Sequence, residues 1–433
     1  MEAGLQGALV ARSASSSGGE SFIPALNANL SCGLGEKVMQ LRRKVYLEGC
    51  FTLHSICNEL TDYPPAGYEF VTDAAGLEKA VQKARKIQLL TRMQIMLEMR
   101  GRLPATLVKA YLQSLRRAPK GTALTYAYLH PNFRKGPWVM DLEVVHTLVS
   151  NNPRLFRQYK GILGRLLASE NCRKILPWSE ASKKTLVDNL DCFPFDDKIE
   201  VVYLAVRPRD FVKDYSRRGG KIKLLFVGSA YSREWFELKG GREAVEAFLH
   251  LGRLYDDVEL VIRSDVPANV KEMCKALPNI RIIEGVLPWD ALESEYQTAD
   301  IFILPAHNTP FMVFLEAMSY ELPIITTNVF ANPEIIQDGK TGLLVEKSKR
   351  LRYFVDGLPN WGTPEFMRDM AALDGAVVQG IVEKAKLLIE NPELRIRLGK
   401  AARQEIEEGR FSIKRRNAKL THVFDEALRR SQQ

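Results

Sequence analysis

Six cysteines and six histidines are few for a chain of 433 residues. Cys32, Cys50, Cys57, Cys172, Cys192 and Cys274 form no CxxC pair, and no two histidines stand in an HxxxH pattern. Zinc ribbons and zinc-binding helices need those spacings, so no resident metal is expected. Scattered cysteines in so long a chain argue against a disulfide-held scaffold and suggest a reducing cytoplasm. No apolar run reaches the ~18 residues of a membrane-crossing helix. Residues Met1 to Gly19 lack the basic start and apolar centre of a secretory signal, and 1–28 reads as a disordered tail. No internal repeat is visible.

The chain does have apolar residues in quantity, 46% of the total, with a mean hydropathy of −0.16. That suffices for sizeable cores and, at roughly 100–200 residues per domain, for two to three domains. The net charge of +9 is concentrated. Between Lys79 and Lys120 stand 11 cations, from Lys83 and Arg85 to Arg116 and Arg117, against the single Glu98. Leucines, isoleucines and methionines alternate with them at helical spacing. Such a stretch is either the solvated face of core helices or a contact with an anionic membrane surface. Nucleic acid is the least expected partner.

The second half alternates strand and helix. Lys223–Ser229, Val258–Ser264, Ile280–Gly285, Asp300–Ala306 and Leu322–Asn328 are short apolar runs, each followed by a helical pattern. Continuous rather than alternating apolar strands mark a parallel sheet covered on both faces. The first half is less regular. Its strands are expected at Thr122–Leu129, Lys135–Val139, Asn171–Pro177 and Lys198–Val206. The reading gives an α/β chain with a first domain over 29–206, a linker over 207–220 and a second domain over 221–410. Residues 411–433 form a last helix that packs back on the first domain. Residues 347–375 interrupt the second domain with an irregular stretch.

Ligands of open α/β sheets bind outside the carboxyl ends of the strands. Gly228-Ser229 ends the first strand of the second domain. Lys239-Gly240-Gly241 opens the next long helix, where free N–H groups, the helix dipole and a lysine together make a phosphate cradle. An ordinary helix start with a surface lysine is the plainer explanation. After Pro305-Ala306, Thr309 is expected as an N-cap and Pro310 as the first helical residue. Phe311 and Met312 follow them, and Glu316 lies further along among apolar neighbours. A carboxylate in that company needs a partner, a ribose diol or a cation. Glu334 stands on a short helix before the turn Asp338-Gly339.

These motifs, taken in order, resemble the donor domain of the group 1, family 4, retaining glycosyltransferases. The resemblance rests on Phe226-Val227-Gly228, Lys239-Gly240, Pro305-Ala306, Glu316-Ala317-Met318, Pro323-Ile324-Ile325 and the run from Glu334 to Leu344. It implies a GT-B fold, two Rossmann-like domains facing across a cleft, and a nucleotide sugar as donor. It implies Lys239 on the diphosphate, Glu316 on the ribose and Glu334 near the sugar-phosphate end, with no cofactor. The acceptor would be a glycan, a lipid-linked molecule or a small molecule. The chain departs from the pattern in three places. Asn308 stands where the first Glu of E-x7-E belongs, Pro310-Phe311 replace Phe-Gly, and Ser229 replaces an arginine. The alternative is therefore a non-catalytic GT-B protein that binds a nucleotide or glycan. In the first domain, Asp141 and Glu143 follow a strand and are candidates for contact with acceptor or sugar, or else the acids of a surface helix start. Two weaker candidates are His54 and the loop Tyr63–Glu69.

Overall fold

The computed structural model describes residues 42–49, 55–72, 104–215, 220–229, 234–275 and 278–429. His54, the 1–28 segment and the basic stretch from Lys79 to Arg102 lie outside them.

The first domain runs β1 (Arg43–Glu48), α1 (Ser55–Asp62), β2 (Tyr68–Val71), α2 (Ala105–Ser114), β3 (Thr122–Ala127), β4 (Trp138–Leu142), α3 (Pro153–Ala168), β5 (Cys172–Pro177) and α4 (Glu180–Val187). Among the described residues its five strands are parallel in the order β2-β1-β3-β4-β5. Local chemistry fixes the helix starts. Asn152 accepts from the N–H groups of Arg154 and Leu155, with Pro153 just inside α3. Ser179 accepts from Ser182 N–H at the start of α4.

The second domain contains β6 (Ile222–Val227), α5 (Glu234–Leu238), α6 (Gly241–Leu251), β7 (Val258–Arg263), α7 (Ala268–Cys274), β8 (Ile280–Ile283), α8 (Trp289–Thr298), β9 (Ile301–Ile303), α9 (Phe311–Ser319), β10 (Ile324–Thr327), α10 (Asn332–Ile335) and β11 (Gly342–Val345). After it come a hairpin of β12 (Phe354–Val355) and β13 (Leu358–Pro359), then α11 (Pro364–Met370), α12 (Gly375–Glu390), α13 (Pro392–Glu407) and α14 (Ile413–Arg429). The sheet order is β11-β10-β9-β6-β7-β8, all parallel. It reverses between β6 and β9, which makes their carboxyl ends the binding edge. Both domains are thus Rossmann-like, the arrangement that the resemblance implied.

Lys198–Val206 does not form the expected strand. Ile199 makes one bridge to Ile175, and Glu200 and Val202 donate to Ile175 and Pro177. The segment then leaves the sheet, and Val201, Val202, Leu204, Ala205 and Val206 are buried where it passes between the domains. Its apolar pattern comes from that double burial. β1, α1 and β2, which the sequence did not reveal, complete the first sheet. Cys172, Cys192 and Cys274 are free and buried, whereas Cys57 is disulfide-bonded, a pairing the cysteine spacing did not suggest.

α14 closes the molecule on the first sheet. Phe424 meets the rings of Tyr68, Phe70 and Tyr126 edge-on, with centroids 5.1, 6.1 and 6.2 Å away. Arg416 donates to the carbonyls of Glu59 and Tyr63, and Asn417 to those of Tyr63 and Pro64. The Tyr63–Glu69 loop, a candidate for lining the cleft, therefore holds the last helix. Tyr68 Oη donates to Asp425 at 2.6 Å, and Lys174 pairs with Glu426 at 2.8 Å. One apolar core runs from the first sheet through Val202, Val206 and Met312 into the second domain. Phe424→Ala should cost about 3–5 kcal/mol through the cavity it leaves. Denaturant unfolding would measure this, and Phe424→Leu should recover most of the loss.

Candidate functional site

At the reversal point, the turn before α6 presses onto the end of β9. Gly240 has φ +73°, and a Cβ there would strike the carbonyl of Pro305, so only glycine fits. His307 N–H donates to Leu238 O at 2.9 Å, pinning the two loops together. This seats Lys239, 2% exposed, in the cleft. Its Nζ donates to Asn308 Oδ1 at 3.3 Å, a long bond to a neutral amide. Burial lowers its pKa to about 7, against the opposing pull of Glu143 from the first domain.

Glu143 faces this lysine from just beyond β4. Burial raises its pKa to about 7, and the charge on Lys239 works the other way. Its Oε2 is out of water, and among the described residues nothing hydrogen-bonds to it. The neighbouring candidate behaves differently. Asp141 accepts from Leu129 N–H at 2.7 Å through one oxygen and from Trp178 Nε1 at 3.1 Å through the other. Burial raises it too to about 7, and both its oxygens are spent on shaping the first domain. Asp141 is a positioning residue for the Trp178 indole, and Glu143 alone of the pair is available to a ligand.

Thr309 is not an N-cap. Its Oγ1 accepts from Ala331 N–H at 3.1 Å, tying the β9 loop to the β10 loop. Pro310 takes the cap position and α9 starts at Phe311, one residue later than expected. Phe311 is turned into the core, edge-on to Phe411 at 5.9 Å, and Met312 lines a cavity beside Tyr126, Trp178 and Arg416. Gly228 is needed for packing, because a Cβ there would meet Ser264 Oγ and the Phe226 ring. Ser229 O accepts from Ser264 Oγ and Asp265 N–H.

Glu316 is 6% exposed, and Tyr296 Oη donates to it at a long 3.4 Å. Burial raises its pKa to about 7, with Arg209 pulling the other way. Arg209 lies over the Trp289 ring at 4.6 Å. Glu334 is committed elsewhere. Its carboxylate accepts from Glu180 N–H at 2.8 Å and Ala181 N–H at 2.6 Å, capping α4 of the opposite domain. A carboxylate at a helix N-terminus is favoured by the dipole, and each charged bond contributes about 1.5–3 kcal/mol. Glu334 therefore clasps the two domains together.

The sequence reading missed three contributors. His307 is buried between Glu243, at 3.0 Å from Nε2, and Tyr353 Oη, at 2.9 Å from Nδ1. It anchors the irregular 347–375 stretch beside Lys239. Trp178 and Trp361 both line a cleft pocket with Glu143 and Thr309. Tryptophans outside the periodic segments were the available signal. Among the described residues, one group could gather around a cation: Glu200, His422 and Glu426. Lys174 Nζ, 3.4 Å from Glu200 and 2.8 Å from Glu426, already supplies the positive charge there.

Lys239, the starts of α6 and α9, and Glu143 come together at the cleft, and an ammonium beside helix N-termini can hold a phosphate. Residues 221–358 match the family model "Glycosyl transferases group 1". The sulfoquinovosyl transferase of Arabidopsis thaliana is 30% identical over 130 residues, 29% of this chain and 20% of that protein. The chain thus spans a fifth of that relative's length. A glycosyltransferase structure from Rickettsia africae aligns with TM-score 0.53 at 16% identity, over 89% of this chain and 90% of that one. An Anabaena structure in complex with UDP and glucose aligns with TM-score 0.53 at 11% identity, over 89% and 99%. These likenesses show that the fold is GT-B.

Lys239 sheds its proton near pH 7 in the free protein. An anion on its Nζ keeps the proton on and raises that value. Between the two values binding takes up a proton, so affinity falls as pH rises. Glu143 ionises over the same range and pushes the same way. From pH 7.5 to 9 a diphosphate ester is fully ionised. Its dissociation constant, measured calorimetrically, should rise several-fold, within a limit of about tenfold per pH unit for one proton. Lys239→Gln should flatten most of this slope, and a flat wild-type profile would contradict the assignment.

Proposed function

We propose that this chain, whose residues 221–358 match the group 1 glycosyl transferases, moves a sugar from a nucleoside diphosphate sugar to a hydroxyl acceptor, with retention and without a metal. The observation that carries this reading is Lys239, a desolvated ammonium at the sheet reversal whose hydrogen bond goes to a neutral amide. Its charge is free for a diphosphate. The leaving diphosphate gains negative charge as its bond to the sugar breaks. Lys239 and the free N–H groups of α6 and α9 stabilise that charge, the kind of preorganised term that usually dominates. The acceptor hydroxyl attacks from the face the diphosphate leaves, and a phosphate oxygen takes its proton. Glu316 takes the ribose diol, and Glu143 accepts from a sugar hydroxyl. The structural neighbour in complex with UDP and glucose supports a donor of this class.

A second reading, a protein that binds the nucleotide without transferring the sugar, is favoured by Asn308, which holds Lys239 as an amide where the family has a carboxylate. Release of free sugar or transfer product from a panel of nucleotide sugars separates the two.

The acceptor side carries a further proposal, contact with an anionic membrane. Among the described residues of the basic stretch, Val108, Tyr111, Leu112 and Leu115 form one stripe on and just past α2, exposed by 46, 50, 57 and 64%. Arg116, Arg117 and Lys120 beside them are exposed. Each cation near an anionic leaflet contributes about 1 kcal/mol.

Three outcomes are expected. A nucleoside diphosphate should raise the melting temperature in EDTA. Lys239→Ala should weaken the diphosphate and spare the nucleoside, whereas Glu316→Ala should weaken both, each by about 1.5–3 kcal/mol. Stabilisation that requires added magnesium or manganese would sink the metal-free reading. In sedimentation, the protein should bind anionic vesicles, spare neutral ones and be released by salt, with Arg116→Glu/Arg117→Glu weakening binding at unchanged melting temperature. Equal binding to neutral vesicles would leave α2 as an ordinary surface helix.

A further inference from the structure

The hairpin of β12 and β13 belongs to the second domain by chain order and to the first by packing. Leu358 on β13 is 1% exposed and lies in the apolar core of the first domain. Beside it, Asp356 pairs with Arg157 at 2.5 Å, and Asn189 Nδ2 donates to Gly357 O at 3.2 Å. Arg157 stands on α3 and Asn189 just past α4, both in the first domain.

The hairpin is stiff enough to carry that position to its other end. Its turn residues, Asp356 and Gly357, have φ +51° and +74°, the kind of turn whose twist matches paired strands. Phe354 pairs with Pro359, and Val355 with Leu358. Next to them Asn360 N–H donates to Tyr353 O at 2.8 Å, and Asn360 Nδ2 to Arg352 O at 3.0 Å. Tyr353, at the base, therefore sits where the tip puts it.

Tyr353 is also the outer member of a buried chain that ends at the Lys239 loop. Its Oη lies 2.9 Å from His307 Nδ1, and His307 Nε2 lies 3.0 Å from Glu243 Oε1. The Ser348 N–H already donates to the Tyr353 oxygen. The Tyr353 O–H is then left to donate to Nδ1, and Nε2 carries the proton that Glu243 accepts. His307 is 1% exposed, and Tyr353 and Glu243 are each 5% exposed. Glu243 lies in the first turn of α6, just after Lys239-Gly240. His307 N–H holds Leu238 O, and the next residue, Asn308, accepts from Lys239 Nζ. The groups that fix Lys239 are thus reached through His307. Among the described residues only Tyr353 bonds to Nδ1. Were the hairpin to leave, that nitrogen would be stranded out of water, and a buried acceptor without a partner carries its full desolvation cost. The loop would have to open to water, and Lys239 with it.

We propose that Tyr353 and His307 are positioning residues for Lys239, and that they hold it only while the hairpin tip is seated in the first domain. Diphosphate affinity is then set by domain docking, through an element outside the ordered motifs of the second domain. The proposal rests on Lys239 as the diphosphate ligand of the function proposed above.

Three variants are compared with wild type. Tyr353→Phe removes one hydroxyl and leaves the tip seated. Leu358→Ser withdraws the apolar anchor. Arg157→Ala/Asn189→Ala loosens the tip from the surface of the first domain and touches neither core. Affinity is measured for the nucleoside diphosphate found by the thermal screen and for its free nucleoside. Hydrogen exchange, without ligand, follows the His307 amide and the amides of 238–243. Tyr353→Phe should weaken the diphosphate about fivefold or more, the usual scale of coupling between sites, and spare the nucleoside. It should also speed exchange at His307 and over 238–243. Both tip variants should do the same. Tyr353→Phe/Leu358→Ser should lose no more affinity than the stronger single variant, because one link is broken twice. A role confined to packing predicts instead faster exchange in 353–360 alone and effects that multiply. The proposal is overturned if Tyr353→Phe leaves diphosphate affinity and His307 exchange at wild-type values, a result that stands even where a tip variant fails to fold. It is equally overturned if a tip variant speeds exchange in the hairpin but changes neither diphosphate affinity nor exchange over 238–243. Failure of wild type to bind any diphosphate would instead strike the Lys239 assignment, and exchange would still decide whether the hairpin holds the loop.

Discussion

Everything around the cleft depends on keeping one ammonium out of water without a carboxylate bonded to it. Lys239 is held there by glycine chemistry and backbone, since Gly240 lets the turn lie on Pro305 and His307 N–H locks the two loops. A buried lysine with a bonded acid would be neutralised and useless to a phosphate. A buried lysine with nothing near would lose its proton altogether. Asn308 and the more distant Glu143 leave it between those limits, near neutrality.

That balance exists only while the domains face each other, and three devices on different elements keep them so. Glu334 caps α4, α14 packs on the first sheet, and the 347–375 stretch docks through Leu358 and Asp356. Each originates in the second half of the chain and ends on the first. The first domain contributes Glu143 and Trp178, and Asp141 fixes the latter through one oxygen while the other holds Leu129 N–H.

Much of this was legible in the residue order. The parallel second sheet followed from five apolar runs, and the ordered motifs led to the GT-B fold. The position of Lys239 followed from a helix start after a strand. The first half was harder because β1 and β2 are short and their helical cover was not periodic enough to read. Lys198–Val206 misled because burial between two domains leaves the same apolar pattern as burial within a sheet. Roles of single acids were least legible. Sequence cannot tell that Asp141 points at Leu129 and Trp178 while Glu143 does not, or that Glu334 serves the other domain's helix. Those outcomes depend on direction rather than residue type. Tyr353 and Leu358 belonged to no periodic segment, so no pattern could place one beside His307 and the other in the first domain.

The return of α14 to the first sheet also sets the order in which the molecule can be made. Tyr68, Phe70 and Tyr126 have their apolar partner in Phe424, about 300 to 360 residues later in the chain. During synthesis the first domain emerges early, yet that face stays open to water until the last helix has left the ribosome. Domains generally fold as units from the amino end, and exposed apolar surface invites aggregation meanwhile. Here the early domain must wait for the late one. Chains cut short before residue 413 would carry a permanently uncovered sheet face and be the natural prey of chaperones and proteases.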